Sequence, residues 1–165
     1  PAEVLASDAD NDMALVQTNA PGAVPMPFSE QPDLHLGDVV FAAGFAFGGA
    51  TARMTVTPGR IRGTVGPNRD SRMLRINAPV QRGQEGGPLI GPGGGVVGLL
   101  LSEASAGFPA SPEPDVSYAF KAALLRIFLQ GAGVAFSASP PGAPLGLPEI
   151  QNRAQASTVL VECWR

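Results

Sequence analysis

The chain is 165 residues long, 44% hydrophobic, and carries a net charge of −3 with only 15% charged residues. That length suits one domain burying roughly 70% of its unfolded surface, and so weak a charge gives no basic field for a phosphate backbone, which argues against a nucleic-acid partner. No apolar run reaches the ~18 residues of a membrane span, and the N-terminus lacks a basic region followed by an apolar core, so neither a span nor a signal peptide is read.

Twenty-one glycines and 17 prolines interleaved with short apolar runs describe a turn-rich all-β protein. In chain order, Glu3–Ser7 reads as a strand, Asp8–Asp12 as a run of turn formers, and Met13–Gln17 as the returning strand. The spacing Asp8-x-Asp10-x-Asp12 lacks the sixth-position Gly and twelfth-position Glu of a calcium loop, so no calcium site is assigned. Asn19–Pro32, with four prolines, reads as a surface connector. Val39–Gly48 is an apolar strand ended by glycine, and Met54–Val65 predicts a hairpin about Pro58-Gly59. Met73–Asn77 is the next strand and leads to Arg82-Gly83-Gln84-Glu85-Gly86-Gly87-Pro88-Leu89-Ile90, a tight turn feeding a buried strand.

Gly91–Gly95 opens into the apolar run Val96–Leu101; no Gly-Lys-Ser/Thr follows, so a Gly-rich hairpin is read and no nucleotide or other cofactor is expected. Ala104–Pro114 is a Pro/Gly/Ser loop, Val116–Phe120 a strand, and Lys121–Gln130 the one clear helix, with Leu124, Leu125 and Phe128 on one face. Ser137–Pro148 reads as a linker, and the tail as a turn of helix followed by a strand over Ser157–Trp164. The single cysteine, Cys163, has no partner for an internal disulfide and reads as a half-buried thiol on that strand, or one whose partner lies in another part of a longer protein. The abrupt opening Pro1-Ala2-Glu3 suggests a piece of such a protein.

Several of these stretches together resemble the trypsin-like serine peptidases, and in particular their bacterial HtrA-like branch. Arg82–Leu89 is similar to the nucleophile loop Gly-Asn-Ser-Gly-Gly-Pro/Ala-Leu, Asp12-Met13-Ala14-Leu15 to the Asp-Leu-Ala-Leu segment that carries the triad aspartate, and Leu36-Gly37-Asp38 with the following strand to Leu-x-x-Gly-Asp-x-Val. Tyr118-Ala119-Phe120 and the helix after it resemble the closing strand and C-terminal helix of that fold. The resemblance implies a trypsin-like β-barrel, namely the C-terminal barrel plus part of the first, with one C-terminal helix, over residues 1–136, leaving 137–165 as a Pro-rich linker and terminal strand. It also implies a secreted or periplasmic setting.

Carried over position by position, the family pattern places Asp12 as the triad aspartate, Gly83 in the oxyanion loop and Glu85 where the nucleophilic serine belongs. Asn77 stands where the family writes an aspartate, and Gly98, Leu99 and Leu100 fall where the family walls its specificity pocket, an apolar character that would favour a small or aliphatic side chain. The only histidine, His35, falls in a turn with no catalytic counterpart; the triad histidine would lie upstream of Pro1. A carboxylate is a weak acyl acceptor beside a base-activated alkoxide. The expectation is therefore a non-catalytic homologue that binds a peptide or protein segment along its pocket and strand edges, with a missing N-terminal segment or a second copy covering its open face. A domain of an active endopeptidase whose catalytic residues lie elsewhere, or a structural β module, are the alternatives. Glu85 itself is read either as folding its carboxylate into the N–H nest of its own loop or pairing with Arg82, or as a solvated glutamate on a decayed loop.

Overall fold

The computed structural model describes residues 2–30, 34–46, 52–101, 116–140 and 142–162. In order, the elements are β1 (Ala2–Asp8), β2 (Met13–Thr18), β3 (Phe28–Ser29), β4 (Val39–Ala46), β5 (Arg53–Gly63), β6 (Met73–Ile76), β7 (Pro88–Ile90), β8 (Val96–Leu100), β9 (Ser117–Lys121), α1 (Ala122–Gly131), β10 (Ala138–Ser139) and α2 (Leu147–Ser157). Strands β4, β5, β6, β9, β8 and β7 pair antiparallel in that cyclic order, and β7 closes back on β4. The result is a six-stranded barrel, which leaves no free edge within its ring. Two short strands, β3 and β10, add parallel rungs outside β8, while β1 and β2 form a separate two-stranded sheet.

Strand β4 explains its own composition. Its alternate residues Val40 and Ala42 face the barrel interior with Ile61, Leu89 and Leu100, whereas Phe41 and Ala43 face outward and pack with Ile90 beneath α2. A strand covered on both faces must be apolar at both parities, hence Val-Val-Phe-Ala-Ala. The face of α1 expected from its spacing is also the one used. Leu124, Leu125 and Phe128 pack against Met13, Met73 and Phe120, and beyond the helix Phe136 meets Phe28 edge-on at 5.2 Å.

Three expectations are corrected. The predicted hairpin about Pro58-Gly59 is instead one continuous strand, β5. Pro58 lies opposite Phe41, where β5 has β4 on one side and its pairing with β6 has not begun, an edge position that tolerates a missing N–H. The connector over 19–32 contains the short strand β3. The tail carries a second helix in place of a single turn. Pro148 sits in the first turn of α2, where its lost donor is harmless, and only Ile150 and Ala154, one turn apart, are fully buried. So thin an apolar stripe is easily read as a loop. Thr158 ends that helix, and residues 159–162 make no strand rung. The expected loop over Ala104–Pro114 and the thiol of Cys163 lie outside the described residues.

Because Ile150 joins α2 to the outer face of β4, Ile150→Ala should cost about 2–5 kcal/mol, lowering Tm by roughly 5–15 °C in a thermal melt. The exposed Gln151→Ala should shift it by less than about 2 °C, in line with the small effects of surface substitutions.

Candidate functional site

The loop before β7 is built from two consecutive turns: the Gln84 N–H donates to the Gln81 carbonyl at 3.0 Å, and the Gly87 N–H to the Gln84 carbonyl at 3.0 Å. Gly83 and Gly86 adopt positive φ of 95° and 77°, the region that makes glycine the default residue. Gly87 is required by contact, since a Cβ there would stand 2.1 Å from the Ala43 carbonyl oxygen. The loop is stitched to the end of β8 by Gly86 N–H to the Leu100 carbonyl and Leu100 N–H to the Gly87 carbonyl, both 2.9 Å.

Gln84, a residue to which the sequence reading assigned no role, holds the loop from inside. It is 1% exposed. Its Oε1 accepts the Gln81 N–H at 2.6 Å, and its Nε2 donates to Thr55 Oγ1 at 2.7 Å, so β5 and the loop share one buried amide. The signal available for it was its place in the family's loop pattern, where an amide side chain, Asn, precedes the serine.

Glu85 points the other way, into solvent, and turns its carboxylate back so that Oε2 accepts the Gly83 N–H at 2.5 Å. Among the arrangements considered for it, the carboxylate is seen bonded to the Gly83 N–H of its own loop. Gly83 and Glu85 also line a cavity of about 230 Å³ together with Gly44, Phe45, Gly86, Gly87 and the chain's own residues 158–161.

The other expected site residues fall in different places. Asp12 is an exposed residue at φ 48° in the turn between β1 and β2. Leu100 fills the barrel interior, and Leu99 packs outward beside Met13 and Phe120. Gly98 lies where β8 and β9 approach closely, a Cβ there meeting the Phe120 carbonyl oxygen at 2.4 Å. The Asn77 side chain accepts the Arg60 N–H at 2.7 Å while its own N–H donates to the Arg60 carbonyl at 3.1 Å, completing the β5 edge. His35 is an exposed turn residue whose N–H donates to Asp38 Oδ2 at 2.8 Å.

Asp12 is nevertheless held against the barrel. Asp8 accepts both the backbone N–H (3.1 Å) and the side-chain amide (2.7 Å) of Asn11. Asn11 Oδ1 accepts from Arg72 Nη1 at 2.5 Å, and Arg72 is clasped by Asp70 through Nε and Nη2. Met13 is buried beside Met73 and Leu101. The Arg72 guanidinium holds the Asp70 carboxyl below the usual carboxylate range, against a smaller opposing effect of burial, and Asp70 in turn raises Arg72. The side-chain amide of Asn11 lowers Asp8 in the same way.

Residues 1–99 match the family model of the trypsin-like peptidase domain, and the chain belongs to that family. Among curated relatives it is 31% identical over 169 residues to an uncharacterised protein, y4bJ, of Sinorhizobium fredii (strain NBRC 101917 / NGR234), covering 99% of this chain and 26% of that protein. It is 30% identical over 101 residues to the serine endoprotease DegS of Salmonella typhimurium, covering 58% of this chain and 28% of the relative. A probable periplasmic serine endoprotease, DegP-like, of Brucella suis is 32% identical over 101 residues, covering 59% and 20%. The chain thus spans about a quarter of the length of the curated relatives it matches. Among solved structures, the serine endoprotease from Yersinia pestis shares the fold with a TM-score of 0.64 at 24% identity, over 79% of this chain and 43% of that one.

Two outcomes follow from this geometry. Gln84→Ala strands the Gln81 N–H and should cost about 1–3 kcal/mol, with faster hydrogen exchange at Gly87; Gln84→Glu, which puts a carboxylate in the same buried place without a compensating charge, should cost at least as much at neutral pH. The lowered Asp8 and Asp70 carboxyls contribute stability that is present above the ordinary value of about 3.9 and lost as pH falls through their lower folded values. The β1–β2 turn should therefore stay docked from neutral pH down to about 4 and loosen below it, read from the Asn11 and Met13 amide resonances. Arg72→Ala should abolish the step by loosening the turn already at neutral pH.

Proposed function

We propose that this domain is a non-hydrolysing member of the trypsin-like peptidase family that binds peptide or protein segments. The observation that carries the reading is the Glu85 carboxylate, at the family's nucleophile position, accepting the Gly83 N–H at 2.5 Å. In a trypsin-like enzyme, that N–H belongs to the pair of donors that stabilises the oxyanion of the tetrahedral intermediate. A carboxylate there satisfies the donor and places negative charge where the reaction would develop it. It also supplies no hydroxyl for acyl transfer, and an anhydride formed on it would hydrolyse or revert.

The remaining parts support the same reading. Asp12 keeps the place of the orienting carboxylate, but the only imidazole in the chain, His35, is an exposed turn residue tied to Asp38. The barrel and its loop are otherwise intact, so a binding surface survives the loss of the nucleophile. Val4 and Leu5 of β1 are exposed on a two-stranded sheet outside the barrel, a face suited to pairing with another segment of a longer chain or a second copy. The relative named as a probable periplasmic serine endoprotease supports the secreted or periplasmic setting that belongs to this reading.

The test is hydrolysis of labelled casein and a fluorogenic peptide library by the parent, by Glu85→Ser and by the longer protein that contains the domain. No turnover above background is expected from the parent or from Glu85→Ser, because losing a member of a triad costs several orders of magnitude and a restored hydroxyl would still have no imidazole of this chain beside it. Turnover by the longer protein that disappears on Glu85→Gln would overturn the reading in favour of an active endopeptidase.

A further inference from the structure

The segment after α2 lies at the candidate site. Helix α2 is fixed to the barrel by Ile150 and Ala154, both fully buried, and its last turn is tied to the connector by the Val24 N–H donating to the Ala156 carbonyl at 2.8 Å. The helix stops at Thr158, whose N–H still reaches the Ala154 carbonyl at 2.9 Å while its backbone turns extended at φ −112° and ψ 131°. From there Thr158, Val159, Leu160 and Val161 line the same 230 Å³ cavity as Gly83, Glu85 and Gly86. The chain thus brings its own extended, aliphatic segment to the cavity that the loop at the nucleophile position lines.

How that segment is held decides what it does. Among the described residues, no backbone hydrogen bond joins Val159, Leu160 or Val161 to the rest of the chain. These residues remain 42%, 37% and 55% exposed, so apolar contact there is partial. The Thr158 hydroxyl at the cavity wall is buried without a hydrogen-bond partner, a cost that a tightly evolved core contact would not carry. One end is firmly anchored through α2, while Val159, Leu160 and Val161 stand at the cavity half-exposed and without a backbone bond of their own among the described residues. Such a segment is kept in place chiefly by its tether, which gives it a high effective concentration at the groove.

We propose that residues 158–161 are a tethered, displaceable strap over the nucleophile-position loop, and that an extended aliphatic segment of another protein reaches this groove only by lifting it. The chemistry of the occupant is read from the strap itself: a Thr-Val-Leu-Val run, β-branched at three of four positions and so disposed to extended backbone. A competing segment of that character would add what the strap lacks, backbone hydrogen bonds to the loop and to the end of β4. The competition part of the proposal rests on the peptide-binding reading above, whereas the covering of the loop does not.

The experiment uses the full chain with Val159→Ser, Leu160→Ser and Val161→Ser combined, and Leu160→Ser alone as a milder variant. A thermal melt within a few degrees of the parent confirms the fold, since none of the three residues is buried. Two readouts are taken: amide hydrogen exchange over residues 83–87, and fluorescence-polarisation binding of a labelled peptide with the sequence of residues 157–162, Ser-Thr-Val-Leu-Val-Glu. The strap predicts exchange at Gly83 and Glu85 faster by about tenfold or more in the triple variant, and peptide binding tighter than to the parent by a similar factor, the scale of a released tether. Unchanged exchange in both variants overturns the strap. Accelerated exchange with no peptide binding to either protein upholds the strap and refutes the peptide-binding reading instead.

Discussion

The structure depends on β4 being covered on both faces. Val40 and Ala42 close the barrel from within, Phe41 and Ala43 receive Ile150 and Ala154 of α2 from without, and the Ala43 carbonyl and Gly44 at its far end press directly on Gly87 and Gln84. One strand therefore couples the barrel core, the C-terminal helix and the loop at the candidate site. The tight packing of protein interiors makes that coupling stiff, because neither face can yield without disturbing the other. It also explains why residues 147–161, far along the chain, end beside a loop that precedes them by some sixty positions in sequence.

At the loop, two neighbouring side chains divide the work. Gln84 is buried and neutral, and its two-sided amide joins the loop to itself and to Thr55 on β5. Glu85 is solvent-facing and charged, and satisfies the Gly83 N–H from outside. This division follows from desolvation: a neutral amide can be buried once both of its ends are hydrogen-bonded, whereas a carboxylate in the same place would need a compensating charge. A framework built to present a group at position 85 is thus preserved by residue 84, whatever chemistry residue 85 brings.

The β1–β2 hairpin is attached in a different way. Among the described residues, its ties to the barrel include the buried Met13 and a polar clasp running from Asp8 through Asn11 to Arg72 and Asp70. Polar contacts near the surface are worth less than buried apolar ones and respond to pH. Asp12 is consequently placed by a turn held through polar contacts, while Glu85 follows the buried, doubly bonded Gln84.

Much of this was legible in the residues. Alternating and continuous apolar runs located β1, β2, β4, β6, β8 and β9 to within a few positions, the spacing of Leu124, Leu125 and Phe128 marked the packed face of α1, and Arg82–Ile90 announced its turn through the only residues able to make it. These are local properties, carried by side-chain period and backbone sterics, and a sequence determines them by itself. Tertiary structure decided the rest. Pro58-Gly59 looks like a turn until β4 lies beside it; α2 has too narrow an apolar stripe to be seen without the outer face of β4; Gln84 has no visible task until Thr55 is brought to it. The run Thr158–Val161 has the composition of a strand, yet among the described residues it pairs with no strand and lines the cavity beside Glu85. Which surfaces meet depends on contacts between residues distant in sequence, and a pattern of neighbours along the chain holds no record of them.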